Sequence, residues 1–588
     1  MRRDRFGLLA GQLLTAGALC GLLLPAAARD RQATAVFARA TSAPLAQRDA
    51  SIIEGSSKIT GAILDKLTVD PDTPLPMIVT YDREVRDDDL DELAELGASV
   101  TSVLDSLNGC SMWMTPRDAV QLEDQSYVES VALDAPMVAM LDVARPTAGH
   151  PVSSPRSWAV AGRGVTVAVL DSGVADHPDL RERIRARVDI VGRIEQAAQD
   201  GGLLDTRLVS FDEPTWELAA AVEEAPSEPS DGGFDPNGHG THVAGIIAGD
   251  GSASRGLYRG VAPEAAIVDV RVIDGNGGGT TTGVIAGLEW VLRNKDRFGI
   301  RVVSMSLGHP VLEHPDHDPL VRMVERLWQS GVVVVCSAGN WGYYGNFTIN
   351  SPGNSPRVIT VGSLTDWNSY DRTDDMISSY SSRGPTLGLN VMKPDLVAPG
   401  NRILSLRSAG SRLDVEHPDS RLAFRRGPAY YFELSGTSMA TPLVAGAVAL
   451  MLEAEPGLNP DSIKARLMVS ADKGVDDDPF ARGAGSLDVA RALGQRGLTD
   501  HAPSPRVFRD EDEIGLMRVE DVGELWGDSA LWSDTALWSD TALWSDTALW
   551  ADTALWADTA LWADTALWSD TALWSDTALW SDSLPQPD

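Results

Sequence analysis

The sequence predicts an α/β fold: a mostly parallel central sheet with helices on both faces, preceded by a small ferredoxin-like α+β unit and followed by a repetitive tail. Three observations predict it. From 155 to 495, short and mostly β-branched apolar runs alternate with stretches of helical periodicity. Strands buried on both faces of a parallel sheet, and their crossover helices, read this way. From 71 to 142 the pattern is βαββαβ. From 499 to 588 the composition turns acidic and a six-residue unit carrying one Trp recurs.

The chain opens with Arg2, Arg3 and Arg5, then 19 uncharged residues from 6 to 24, then Pro25-Ala26-Ala27-Ala28. This reads as an export signal over 1–28, cleaved after Ala28. The same stretch is just long enough to serve as a retained anchor. Residues 29–70, rich in Ala, Arg and Ser, read as a linker. In the following unit 77–81, 99–104, 110–114 and 127–133 read as strands, with a turn at Asn108-Gly109. Residues 88–96 form a helix with an acidic first turn and Gly97 as its stop, and Pro116 opens a second helix to 124. A small unit between an export signal and a large domain is most simply a folding prosegment, 71–142. A stand-alone binding domain is the alternative.

The 588 residues are 43% hydrophobic, enough for a large core, and the net charge is −35 with only six Lys among 49 basic residues. Such a chain repels nucleic acid and anionic membrane surfaces, so neither is an expected partner. The cysteines, at 20, 110 and 336, fall one each in the signal, the small unit and the large domain. The large domain therefore has no internal disulfide. Cys336 reads as a small apolar core residue.

In the large domain, 165–170, 267–272, 302–305, 332–336 and 358–361 read as strands, and 240–248, 282–294 and 320–329 as helices. In open sheets of this kind, sites form outside the carboxyl ends of the strands. Those positions carry Asp171-Ser172-Gly173, Ser306-Leu307-Gly308 and Ser337-Ala338-Gly339-Asn340. After a long acidic insertion, 192–235, Asn237-Gly238-His239-Gly240-Thr241-His242 opens a helix, and Gly436-Thr437-Ser438-Met439 opens another. Each has a plainer reading alone: Asp171 as a turn former, Ser438 as a helix cap, the two His as metal ligands. No Cys or Glu stands near the histidines to complete a zinc set. Together they are the parts of a nucleophilic hydrolase. Ser438 would attack, His239 would take its proton, and Asp171 would fix the tautomer and stabilise the imidazolium. The Asn340 amide and the Ser438 N–H would receive the oxyanion.

These stretches resemble the motifs of the subtilisin-like serine proteases (subtilases). Val167-Ala168-Val169-Leu170-Asp171-Ser172-Gly173 is similar to the family's Asp motif. Asn237 through Gly245 is similar to its His motif, and Gly436-Thr437-Ser438-Met439-Ala440-Thr441-Pro442 to its Ser motif. The resemblance covers 155–495 and extends to Ser381-Ser382-Arg383-Gly384-Pro385, to the run from Lys393 to Gly400 and to the run from Gly483 to Asp488. It implies a secreted or cell-surface serine endopeptidase, made as a precursor that removes its own inhibitory prosegment, with Asp171, His239 and Ser438 catalytic and Asn340 in the oxyanion hole. Protein or peptide substrates would lie extended along Ser306, Leu307, Gly308 and Gly278. Asn350 would stand near the floor of the primary specificity pocket, where many members have Gly. Many relatives also carry a longer Asn-rich calcium loop after the His helix. Here 249–260 is short, with one carboxylate and two Arg, too few oxygen ligands for a strong site. No cofactor is expected for the chemistry and no metal ligand is assigned; calcium elsewhere is left open.

In the tail, Trp recurs at 526 and every sixth residue to 580, and 500–588 holds 19 acidic against three basic residues. As a helix, a six-residue period turns about 600° and spreads Trp over three faces. As a strand, an even period puts every Trp on one face. A sheet or solenoid and a disordered acidic tract are both compatible with this pattern. A row of exposed Trp suits carbohydrate, cell-surface or self-association contacts; a sorting tag removed later is the other role. The rival to a protease is thus an adhesion protein on an inactive protease scaffold, and the complete Asp171, His239 and Ser438 set argues against it. An esterase or amidase of small molecules is a weaker third reading.

Overall fold

A computed structural model describes residues 58–139, 160–199, 204–205, 234–367, 372–422, 428–474, 478–509 and 517–519. The predicted signal, most of the linker and the Trp repeat lie outside the described residues.

The amino-terminal unit comprises α1 (Gly61–Val69), β1 (Leu75–Tyr81), α2 (Asp87–Glu95), β2 (Ser99–Leu104), β3 (Gly109–Met114), α3 (Pro116–Ala119) and β4 (Val128–Leu133). Its strands run antiparallel in the order β4-β1-β3-β2. The sequence dictates the punctuation. Asn108 takes φ 50° at the β2–β3 connection, a conformation Asn tolerates better than most residues. Thr115 accepts the Asp118 N–H and Pro116 stands at the first helical position of α3, as a capped start requires. Alternate strand residues Met77, Val79, Cys110 and Met112 meet Leu93 and Leu122 in one buried cluster. Two details differ from expectation. The stretch read as linker ends in α1, because Ile59 and Ile63 are buried against this sheet. The second helix keeps α geometry for one turn and continues to Asp124 as a 3-10 helix.

The large domain follows with β6 (Thr166–Asp171), β7 (Ile184–Asp189), α4 (Ile190–Gln199), β8 (Leu204–Asp205), α5 (His239–Ala248), β9 (Ala266–Arg271), β10 (Gly278–Thr280), α6 (Thr281–Phe298), β11 (Ile300–Met305), β12 (Leu307–Gly308), α7 (Pro319–Gln329), β13 (Val333–Ser337), β14 (Ile359–Thr365), β15 (Met376–Ile377), β16 (Leu396–Pro399), α8 (Thr437–Ala454) and α9 (Pro460–Ser470). A strand within the amino-terminal connection, Pro136–Ala139, belongs to the site described below. The central sheet has the order β15-β14-β13-β11-β6-β9-β7, with β16 beside β14. Every pairing is parallel except β14–β15. The five predicted strands are its centre; β7, β15 and β16, shorter or more polar at the margins, are the ones sequence pattern misses. Within the acidic insertion, β8 pairs in parallel with β2 and extends the small unit's sheet to five strands.

Helix α8 carries Ser438 and is buried along almost its whole length. Among the described residues it is the one helix long and apolar enough to cross a membrane, and 89% of that span is buried inside the protein. It packs on β11, β13, β14 and α5, as an all-round apolar helix in a large core should. Pro442 sits inside it. A proline has no N–H, so the carbonyl four residues back, that of Ser438, loses its helical partner. The Ser306 hydroxyl donates to that carbonyl instead, at 2.9 Å. The domain also runs further than 495. Ala502 and Val507 are buried, the Ala502 N–H donates to Asp461 at 2.9 Å, and the Ser504 N–H donates to the Pro356 carbonyl at 2.8 Å. Residues 499–507, assigned to the tail on composition, are therefore part of the packed domain, held by backbone hydrogen bonds that composition does not reveal.

Candidate active site

Asp171 ends β6 and His239 begins α5, so both lie at the carboxyl edge of the sheet. His239 Nδ1 and Asp171 Oδ1 are 2.7 Å apart, and both side chains are buried. The same carboxylate oxygen accepts the Ser172 N–H at 2.8 Å. The end of β6 and the start of α5 come this close because Gly240 permits it: a Cβ there would lie 2.1 Å from the Gly173 carbonyl oxygen. Burial alone would push the His239 pKa down; the Asp171 charge and hydrogen bond outweigh it, and the net shift is upward. The Nε2 atom of His239 has no hydrogen-bond partner among the described residues. A neutral imidazole with Nδ1–H fixed on a carboxylate has its basic nitrogen at Nε2.

Ser438 is the second residue of α8, which packs against the helix of His239. Its hydroxyl donates to the Ser306 carbonyl at 3.0 Å while the Ser306 hydroxyl returns a bond to the Ser438 carbonyl. Asn340 follows β13. Its Oδ1 accepts both the Thr437 N–H, at 3.0 Å, and the Thr437 hydroxyl, at 2.9 Å. A backbone N–H can only donate, so the amide orientation is fixed. Its buried Nδ2 has no partner among the described residues. An unspent donor beside the N-terminus of the Ser438 helix is placed to bind negative charge.

Three of the other candidates flank one strand. Gly278 lies on β10 and Leu307 and Gly308 form β12. Between them runs β5 (Pro136–Ala139) of the same chain, antiparallel to both. Val138 pairs with Gly278 and with Gly308, and Ala139 pairs with Leu307, the neighbour of Ser306. The Met137 side chain is fully buried in the large domain's core cluster. Just upstream, Asp134 caps α6, accepting the Thr282 N–H at 2.9 Å and its hydroxyl at 2.8 Å. Further anchors are the Ser106 N–H on Glu289, at 2.6 Å, and the Glu129–Arg322 ion pair, at 2.7 Å. Asn350 donates its N–H to the Ala338 carbonyl at 3.0 Å. Its side chain packs so closely on Gly339 (φ +109°) that a Cβ there would lie 2.9 Å from it. Asn350 thus lines the backbone that leads into Asn340.

Two plainer readings of nearby residues are also decided. His242 spans the Ile403 and Phe432 carbonyls through Nε2, at 3.1 and 3.0 Å, and burial pushes it down to about 3. It is a neutral core residue, separate from the pair formed by His239 and Asp171. Cys336 is buried and its thiol is pushed up to about 12, chiefly by burial. At the shortened loop, Asp179 accepts the Ser252 hydroxyl, the Ala253 N–H and the Tyr431 hydroxyl. Internal donors thus reach both oxygens of Asp179, which stands outside the loop, and the loop's own carboxylate, Asp250, accepts the Ser252 N–H at 2.8 Å. Among the described residues no three His, Cys, Asp or Glu side chains gather as a metal would need. Sequence reasoning does not reach Thr437, Asp134 or Asp235. The first is hidden inside the Ser motif, and the other two are single carboxylates in a chain that has 84.

A sequence profile of the subtilase family matches residues 162–486. The chain is 39% identical over 406 residues to serine protease AprX of Bacillus subtilis (strain 168), covering 68% of this chain and 82% of that protein. It is 33% identical to thermitase of Thermoactinomyces vulgaris, over 55% of this chain and 86% of that one. It is also 33% identical to the major intracellular serine protease of Bacillus subtilis (strain 168), over 59% and 85%. Among solved structures, fervidolysin from Fervidobacterium pennivorans superposes with a TM-score of 0.53 at 22% identity, over 76% of this chain and 65% of that one. That likeness speaks to the fold: a subtilisin-like α/β domain with a mostly parallel sheet. The chain belongs to the subtilase family and is a serine-type endopeptidase.

Proposed function

We propose that this endopeptidase is exported as a precursor, removes its own amino-terminal unit, and hydrolyses proteins through an acyl-enzyme on Ser438. Ser438 Oγ attacks the scissile carbonyl carbon as His239 Nε2 takes its proton. Asp171 stabilises the imidazolium, and the Asn340 Nδ2–H and Ser438 N–H hold the oxyanion. Collapse of the tetrahedral species passes the proton from His239 to the leaving amine. Water, activated by the same imidazole, then releases the acyl group. Export rests on the 1–28 sequence. The adhesion alternative finds no support among relatives that are themselves named proteases.

The observation that carries the precursor reading is β5. It lies between β10 and β12 as an extended substrate would, and the Leu307 that pairs with Ala139 adjoins Ser306, whose carbonyl accepts the Ser438 hydroxyl. Main-chain pairing gives affinity there and side-chain pockets give preference. Met137→Asp tests it. A carboxylate in the apolar pocket that Met137 fills costs several kcal/mol to bury. The severed amino-terminal unit should then inhibit casein hydrolysis at least about tenfold less well. Inhibition equal to wild type would remove β5 from the substrate groove and end the inhibitor reading.

A further inference from the structure

We propose that Asp235 is a positioning residue, locking the Asp171 and His239 segments together and holding a second buried negative charge beside the imidazole. Asp235 lies four residues before His239 and is fully buried. Its Oδ1 accepts the Ser172 hydroxyl at 2.8 Å and the Gly238 N–H at 2.7 Å. Its Oδ2 accepts the Thr241 N–H at 2.8 Å and the Thr241 hydroxyl at 2.6 Å. One carboxylate therefore ties the residue after Asp171 to residues on both sides of His239.

The protons in this network can be counted. The Ser172 hydroxyl accepts the Gly240 N–H at 3.0 Å, so its own proton goes to Asp235. The Thr241 hydroxyl accepts the Ala175 N–H at 2.8 Å, so its proton goes there too. With two backbone N–H groups and two committed hydroxyls, all four neighbours donate. Each oxygen receives two bonds, and no lone pair is left for an acid proton. Burial is the largest influence on the Asp235 pKa and the net shift is upward, against the four donors that oppose it; it is the hydrogen-bond count that assigns the carboxylate form. Ser172 also donates its N–H to the Asp171 oxygen that binds His239.

Three titratable groups bear on His239. Asp171 reaches it from β6 and Asp235 from the segment before α5, and both raise its pKa. His242, one turn along α5, is neutral. When Ser438 gives up its proton, the imidazolium forms in contact with the Asp171 carboxylate and within the field of the Asp235 carboxylate. The Asp235 charge supports that cation, and the Asp235 hydrogen bonds keep Asp171 and the ring in register.

The proposal rests on His239 acting as the base, and the test separates the two. Asp235→Asn is nearly isosteric but neutral, and its amide can accept from only one of the two donor pairs. On the processed enzyme, kcat for a peptide substrate should fall on the order of tenfold with KM within about twofold. The acid limb of kcat/KM, set by the free enzyme's base, should move to lower pH by about half a unit or more. Ser172→Ala keeps the charge and cuts the tie: kcat should fall about threefold with the acid limb unmoved. Wild-type kcat and pH profile in Asp235→Asn would overturn the proposal, as would a drop in KM-dependent binding alone. If Asp235→Asn yields no folded enzyme, Ser172→Ala decides, and a wild-type kcat there overturns it. Activity surviving in Ser438→Ala would instead sink the triad reading itself, whatever Asp235 does.

Discussion

Ser438→Ala is expected to accumulate as an uncut chain with no measurable hydrolysis of casein. The hydroxyl is the one atom in the groove that the proposed route makes a covalent bond to. Its loss should cost on the order of 10⁶ in kcat, leaving only what binding and the oxyanion donors supply without a nucleophile. The fold should survive. Helix α8 is held by its buried apolar surface, and the bond from the Ser306 hydroxyl to the Ser438 carbonyl does not need the Ser438 side chain. Gel electrophoresis of the purified variant and a casein assay read both consequences. Self-cleavage at the wild-type rate in this variant would show that another group attacks.

Asn340→Ala should lower kcat by roughly 10²–10³, the loss typical of removing one oxyanion donor, with KM little changed. A structural contribution accompanies the chemical one. Thr437 directs its N–H and its hydroxyl at Asn340 Oδ1, and stranding two donors costs about 1–3 kcal/mol each where they are buried. The melting temperature should fall as well. Asn340→Asp separates the two effects. It restores the acceptor that Thr437 needs, and it puts an anion in place of the donor where negative charge develops. Its stability should recover toward wild type while kcat stays at least as low as in Asn340→Ala. A kcat that recovers together with stability would mean that Asn340 acts only as a strut for Thr437.

Much of this was legible in the sequence, for identifiable reasons. The runs that became β6, β9, β11, β13 and β14 are buried on both faces, so burial writes a continuous apolar signal that survives without neighbours. Asp171 and Asn340 stand at the carboxyl ends of two such runs, where the topology of a parallel sheet gathers side chains, and His239 and Ser438 open the helices α5 and α8. β7 exposes alternate residues such as Arg185 and Asp189 and carries no such signal. β5 is four residues long and owes its form to β10 and β12 on either side, a tertiary pairing that local pattern cannot express. Asp235 is the clearest case. Its neighbours in the chain, Phe234 and Pro236, say nothing of its four hydrogen bonds, one of which reaches 63 positions back to Ser172 and forms only once the Asp171 and His239 segments meet. Residues 499–507 were hidden differently: they pack mainly through backbone hydrogen bonds, and composition records side chains.

The most direct measurement is covalent labelling of the processed enzyme with a fluorophosphonate, followed by peptide mass spectrometry. One adduct per chain is expected, on the peptide that contains Ser438, rising in step with the loss of casein hydrolysis and absent from Ser438→Ala. Complete inhibition with the label on a different residue, or full activity with Ser438 labelled, would contradict the account.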